Sequence, residues 1–215
     1  MAGRNPEPTP WKRRSLLALA GALGAGAACG RLTRRQPYPS GPVPNGRPTG
    51  PAVSMTTTTA REYLYLAVVT GTMLGKSGWP AFLPGNMTVP AHCVVLAEVH
   101  CLDDGVATVA GGYEQVRGTM GGSMQVFHAA AGPQTGEAPQ TVQTVSPSAI
   151  AHTFTVSDLG LNVPLPPLST VRFRFQTTGP GQHAWQCMAS CGTGPGGWQG
   201  TMTTAGWMRG TLTIQ

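Results

Sequence analysis

Acidic side chains are scarce: Asp and Glu together number eight in 215 residues, and charged residues of both signs make up only 10%. Seven of those acids fall from residue 61 onward, and no paired-carboxylate arrangement, Ser/His/Asp set or phosphate-cradling glycine loop stands out among them. Hydrolytic and phosphoryl-transfer chemistry have nothing to rest on, so an enzyme is not expected. Long amphipathic runs are missing too, and the longest small, apolar run, Leu16–Ala28, is too short to cross a membrane comfortably. The formal charge of +6 is no property of the folded part: from Arg61 onward six basic residues face seven acidic ones, a net of −1. Without Lys and Arg gathered on a folded face, no nucleic-acid partner is expected.

Turn formers are abundant instead. Thirty Gly and twenty Pro, with many Thr and Val, predict an all-β protein with frequent turns. Residues 1–28 have the layout of an export signal, with Lys12-Arg13-Arg14 ahead of the apolar run. Arg13-Arg14 resembles a twin-arginine signal, and Gly26-Ala-Ala-Cys29 resembles a lipobox that would leave Cys29 as a lipidated N-terminus on the outer face of a membrane. Residues 29–60, rich in Pro, Gly and Arg, bury too little apolar surface to offset their ordering entropy and read as a linker. Residues 61–215 remain for one domain with a core of its own.

Within that domain, Arg61–Gly71 reads as a strand with too little polar alternation to be half-exposed, and Gly75–Pro84 as an irregular crossing. Asn86–Pro90 and Cys93–Leu102 are strand segments, the second ended by the turn Asp103-Asp104-Gly105. Residues 106–148 read as an inserted hairpin and loop, with strand-like pieces at Tyr113–Arg117 and Ser123–His128. Leu159–Pro167 is proline-broken and suits an edge strand. Ser169–Gln176 alternates cleanly, with Val171, Phe173 and Phe175 on one face and Arg172 and Arg174 on the other. Trp207–Ile214 closes the sheet.

Soft donors gather near the C-terminus. A short strand over Gln182–Gln186 delivers Cys187 into a Gly/Pro-rich loop that also carries Cys191, with Met202 eleven residues further on. His152, at the start of an earlier strand-like run, can supply an imidazole, and two thiols, a thioether and an imidazole suit copper or zinc. His183 would stand roughly 13 Å from Cys187 along the same strand and should not share that metal. His92, His100 and His128 read as structural or surface residues, and Cys101 as a neighbour of the site at the end of its strand, with Cys93 at the opposite end. In an exported protein Cys187 and Cys191 could equally form a disulfide.

At these residues the chain resembles the cupredoxins, and most closely the copper domain of cytochrome c oxidase subunit II. Phe82–Pro90, Val94–Asp103, Ala151–Phe154 and Pro180–Gly192 resemble that family's pieces in the family's order, over roughly Arg61 to the C-terminus. The resemblance implies a Greek-key β-sandwich and copper near His152 and the paired cysteines; with Met202 as the thioether within reach, the expected ligands are His152, one or both of Cys187 and Cys191, and Met202, with no metal at all as the other outcome. Pro195 and Trp198 stand where the family's next histidine and methionine would fall, and Ala189 replaces an acidic residue, so a mononuclear site is expected in place of a binuclear one. The implied role is a one-electron carrier serving a redox partner such as a cytochrome or an oxidase, and a monomer is expected; Trp185 and Trp198, beside the cysteines in sequence, could form an apolar rim for that partner or equally lie in the core. Copper capture and delivery, and a metal-free interaction module with a Cys187–Cys191 disulfide, stay open as alternatives.

Overall fold

The computed structural model describes residues 60–215 other than 129, 131 and 133–137. The expected leader over 1–28, the lipidated Cys29 and, but for Ala60, the linker over 29–60 lie outside the described residues. Among the described residues, no helix is long and apolar enough to cross a membrane.

Among the described residues, eleven strands form two sheets. The first holds β1 (Arg61–Val69), β2 (Ala81–Leu83), β4 (Val94–Cys101), β5 (Met124–Phe127), β6 (Gln140–Val142) and β9 (Ser169–Gln176), in the order β2-β1-β4-β9-β5-β6. The second holds β3 (Asn86–Val89), β7 (His152–Val156), β8 (Leu161–Leu165), β10 (Gly181–Gln186) and β11 (Arg209–Ile214), in the order β3-β11-β10-β7-β8. Neighbours far apart in the chain, with β1 parallel to β4 and β3 parallel to β11, are the crossovers of the expected all-β Greek-key sandwich.

The burial follows the pleat. In β9 Val171, Phe173 and Phe175 point into the core as the alternation predicts, and in β4 Val95, Ala97, Val99 and Cys101 do the same. Five rings from both sheets meet between them: Phe82, Phe173 and Phe175 from one, Phe154 and Trp185 from the other. Ring centroids lie 4.8 Å apart for Phe82–Trp185 and 6.3 Å apart for Phe154–Phe173.

Three expectations need correction, and the choice between rim and core is resolved for the two tryptophans. β1 is half-exposed after all: Leu64, Leu66 and Val68 are buried, while Tyr63 and Tyr65 are each 62% exposed, because a phenol ring tolerates water that a run of apolar letters conceals. The crossing over Gly75–Pro84 contains the edge strand β2. The insert does hold a hairpin, β5 with β6, which joins β9 and so adds two strands to the six-stranded sheet, but its expected strand piece Tyr113–Arg117 makes only isolated bridges, Gln115 with Thr144 and Arg117 with Asn162. Trp185 is buried in the aromatic core, its indole N–H donating to the Gly85 carbonyl at 2.8 Å, so it cannot be a rim; Trp198 is exposed.

Phe154 touches rings from both sheets, and truncation to alanine leaves a cavity its neighbours cannot fill. Phe154→Ala is expected to cost about 3–5 kcal/mol, read as a lower denaturant midpoint at unchanged slope.

Candidate metal centre

Two strands of the second sheet bring the donors together. His152 opens β7, and Cys187 follows β10, whose last residue Gln186 pairs with Thr155 of β7. The loop after Cys187 is held from several sides. The Cys187 N–H donates to the Met208 carbonyl at 2.9 Å and the Ser190 N–H to the Thr108 carbonyl at 2.9 Å, and Ala189 bridges Val109. Gly192 is needed where the loop doubles back: a Cβ there would stand 2.2 Å from the Gln199 carbonyl oxygen and 2.7 Å from Met202 Cγ.

The structure brings all four of the candidate residues into one cluster. Cys187 Sγ lies 4.0 Å from His152 Nδ1 and 3.6 Å from Cys191 Sγ, and Cys191 Sγ lies 3.4 Å from Met202 Sδ. The imidazole and two sulfur donors all sit within 4.8 Å of one another. Thiolate and imidazole donors about 2.3 and 2.0 Å from a tetrahedral ion stand about 3.5–3.8 Å apart, so the donor set fits a soft metal ion with little adjustment. His152, Cys187 and Met202 are buried and Cys191 is partly exposed. Neither cysteine is in a disulfide, so the Cys187–Cys191 bridge left open above is not the form this structure takes. His183 is not part of the cluster, and His128 is exposed.

One essential group escapes a reading of the sequence. His152 Nε2 lies 3.1 Å from Asp103 Oδ2, which the sequence marks only as a turn residue. A separation of 49 residues leaves no local signal for this pair. The carboxylate accepts a hydrogen bond from Nε2 and so keeps Nδ1 facing Cys187; once the Nδ1 proton leaves, its lone pair points there, the orientation that a carboxylate behind a ligating imidazole provides. The sulfur is oriented as well: the Thr153 N–H donates to Cys187 Sγ at 3.3 Å.

Electrostatics follow from these contacts. Burial pushes the His152 pKa down, but the bonds to Asp103 and Cys187 outweigh it and raise it to about 9. The bond to His152 holds Asp103 below the ordinary carboxylate value. Burial opposes ionisation of Cys187, yet Cys191, His152 and the Thr153 N–H together bring its pKa well down; the neighbouring Cys187 sulfur, with burial, drives the Cys191 pKa up. Burial raises Cys101 to about 12, so it stays a thiol.

No protein-family model matches the chain, and no curated protein matches it. Among solved structures it is similar to auracyanin B (15% identity, TM-score 0.31, covering 74% of this chain and 91% of that one). It is also similar to reduced auracyanin from the photosynthetic bacterium Roseiflexus castenholzii (13% identity, TM-score 0.31, 71% and 96%). A third, a multicopper oxidase from Campylobacter jejuni (10% identity, TM-score 0.38), is matched over 75% of this chain but only 31% of its own length. The likeness to oxidase subunit II stays with the order of motifs in the sequence.

The Asp103–His152 contact makes a pH prediction for the metal-free protein. The raised His152 pKa contributes stability that is fully present below the ordinary value of 6.5 and is lost as pH rises through about 9. The depressed Asp103 pKa contributes stability present above 3.8 and lost as pH falls through the lowered value. Ionisation of Cys187 runs in the opposite sense to His152 between those limits, so the comparison belongs in a Cys187→Ala background. There Asp103→Asn should lower stability at pH 6 by about 1.5–3 kcal/mol, the worth of a charge-assisted hydrogen bond. It should also flatten the decline above pH 6.5, which in this background ends below about 9 because Cys187 no longer adds to the rise of His152, read by chemical denaturation at each pH.

Proposed function

We propose that this chain is an exported copper protein that binds one copper ion at His152, Cys187, Cys191 and Met202 and passes single electrons. The observation that carries the reading is the convergence of one imidazole nitrogen, two thiol sulfurs and one thioether in a buried cluster whose spacing suits a single ion. Copper would supply the one-electron couple, and the protein's part is to hold its donors still. Asp103 fixes the His152 ring, the Thr153 N–H and the Met208 carbonyl fix Cys187, and Gly192 lets Met202 approach. A thiolate with imidazole and a weaker thioether is the donor set of copper sites that change oxidation state with little rearrangement. Export by the leader, tethering through a lipidated Cys29 and a cytochrome or oxidase as partner belong to the same proposal, as do a monomeric state and the absence of catalysis.

Capture and delivery of Cu(I) is the second reading. It is favoured by the partial exposure of Cys191, which would let an incoming thiol or thioether reach the ion through that sulfur.

Copper loading of the reduced full-length chain tests both. One copper per chain with an intense thiolate charge-transfer band, abolished in Cys187→Ser and in His152→Ala, is expected for the carrier. Tight, colourless Cu(I) uptake would turn the reading to delivery, and no retained copper would end both. Because thiol and imidazolium protons must leave before the ion enters, affinity should fall as pH is lowered, with protons released on loading.

A further inference from the structure

Beneath the metal cluster runs a buried line of hydrogen bonds that the donor set does not use. The Met188 N–H donates to Thr153 Oγ1 at 2.8 Å, Thr153 Oγ1 lies 2.9 Å from Thr155 Oγ1, and Thr155 Oγ1 donates to Asn162 Oδ1 at 2.7 Å. Asn162 Nδ2 then donates to the carbonyls of Tyr113, at 3.0 Å, and Gln115, at 2.6 Å. Thr153, Thr155 and Asn162 are all buried.

The direction of every proton in this line is forced. Two backbone carbonyls can only accept, so the Asn162 amide nitrogen must face them and its oxygen must face Thr155. The single Thr155 proton goes to that oxygen, so Thr155 must accept from Thr153, and the Thr153 oxygen is left to accept the Met188 N–H. The line therefore has one arrangement, with every hydroxyl both giving and receiving, and a fully satisfied buried network of this kind holds a single geometry. It starts at the peptide after Cys187 and ends on the backbone of the inserted segment. The backbone of Asn162 is itself clasped to the insert, exchanging N–H and carbonyl with Arg117 at 2.9 and 3.0 Å. A second, separate contact joins the same partners: Ser190 Oγ and N–H both donate to the Thr108 carbonyl.

We propose that the insert over residues 106–148 acts as a positioning element for the Cys187–Met188 turn through Thr153, Thr155 and Asn162. With the copper reading above, on which this extension rests, Asn162 and Thr155 become positioning residues that set the direction of the Cys187 sulfur without touching the ion. The insert is then part of the centre's frame and cannot be shortened over Tyr113–Gln115 without loosening the cysteine loop.

The test compares Thr155→Val, which keeps the shape of the side chain and removes its hydroxyl, with Thr155→Ser, which keeps the hydroxyl. The first readout is hydrogen–deuterium exchange of the Met188 amide in the reduced, metal-free full chain. Loss of one hydrogen bond's support should speed that exchange about tenfold in the valine variant, with β4 and β9 amides unchanged, and serine should restore it. In copper-loaded protein the thiolate charge-transfer band should shift in the valine variant and return in the serine one. Should Thr155→Val not fold, Asn162→Asp is read in the same way, since it keeps the acceptor for Thr155 and loses the donors to Tyr113 and Gln115. Exchange at Met188 equal to wild type, or a serine variant that behaves like valine, overturns the proposal. A chain that takes up no copper but shows the exchange difference overturns the copper reading while upholding the link between insert and loop.

Discussion

A buried imidazole with both nitrogens engaged is the constraint on which the rest of the site depends. At 1% exposure the His152 ring has no water to satisfy it, so each nitrogen needs a partner inside the protein. Asp103 takes one, and Cys187 faces the other. Asp103 follows β4 in the first sheet, whereas His152 opens β7 in the second, so their contact spans the sandwich and pins the two sheets together at one end. The tautomer is fixed by the same contact that fixes the packing, which leaves the donor nitrogen one direction in which to point.

The four described cysteines show how far environment separates identical side chains. Cys93, at the opposite end, is an ordinary buried thiol, its sulfur donating to the Pro90 carbonyl and its N–H to Thr177. Cys101 is enclosed near the site and kept protonated by burial. Cys187 is as buried as either, yet the neighbouring Cys191 thiol, the His152 imidazole and the Thr153 N–H bring its pKa well down. Cys191 becomes the proton-holding member of the pair and its exposed face. Burial alone would have made all four inert; the donors around Cys187 decide otherwise.

Much of this was legible in the chain. The alternation in Ser169–Gln176, the proline-broken edge over Leu159–Pro167 and the strand-like runs that carry His152 and Cys187 follow from local pattern, while the convergence of those two residues was expected only from the order of the motifs. What escaped was non-local or ambiguous in letter. Tyr63 and Tyr65 count as apolar in a run but face water, and Trp185 beside a cysteine suggests a surface yet lies against Phe82 and Phe154. The short strand Gln140–Val142 has a composition that reads as loop and exists because Met124–Phe127 offers it an edge. Asp103 and Asn162 are an ordinary turn acid and an ordinary strand amide until the fold brings them to His152 and Thr155.

The placement of β11 bears on how the protein is made. It lies between β3 and β10, and the carbonyl of Met208, just ahead of it, holds the Cys187 backbone. A ribosome delivering this chain has already released His152 and both cysteines while the second sheet still has a gap, with β3 unpaired along its length and β10 open on one side. Until β11 closes that gap, Cys187 lacks the Met208 carbonyl that holds its backbone, so the four side chains of the cluster reach their final spacing only with the last strand.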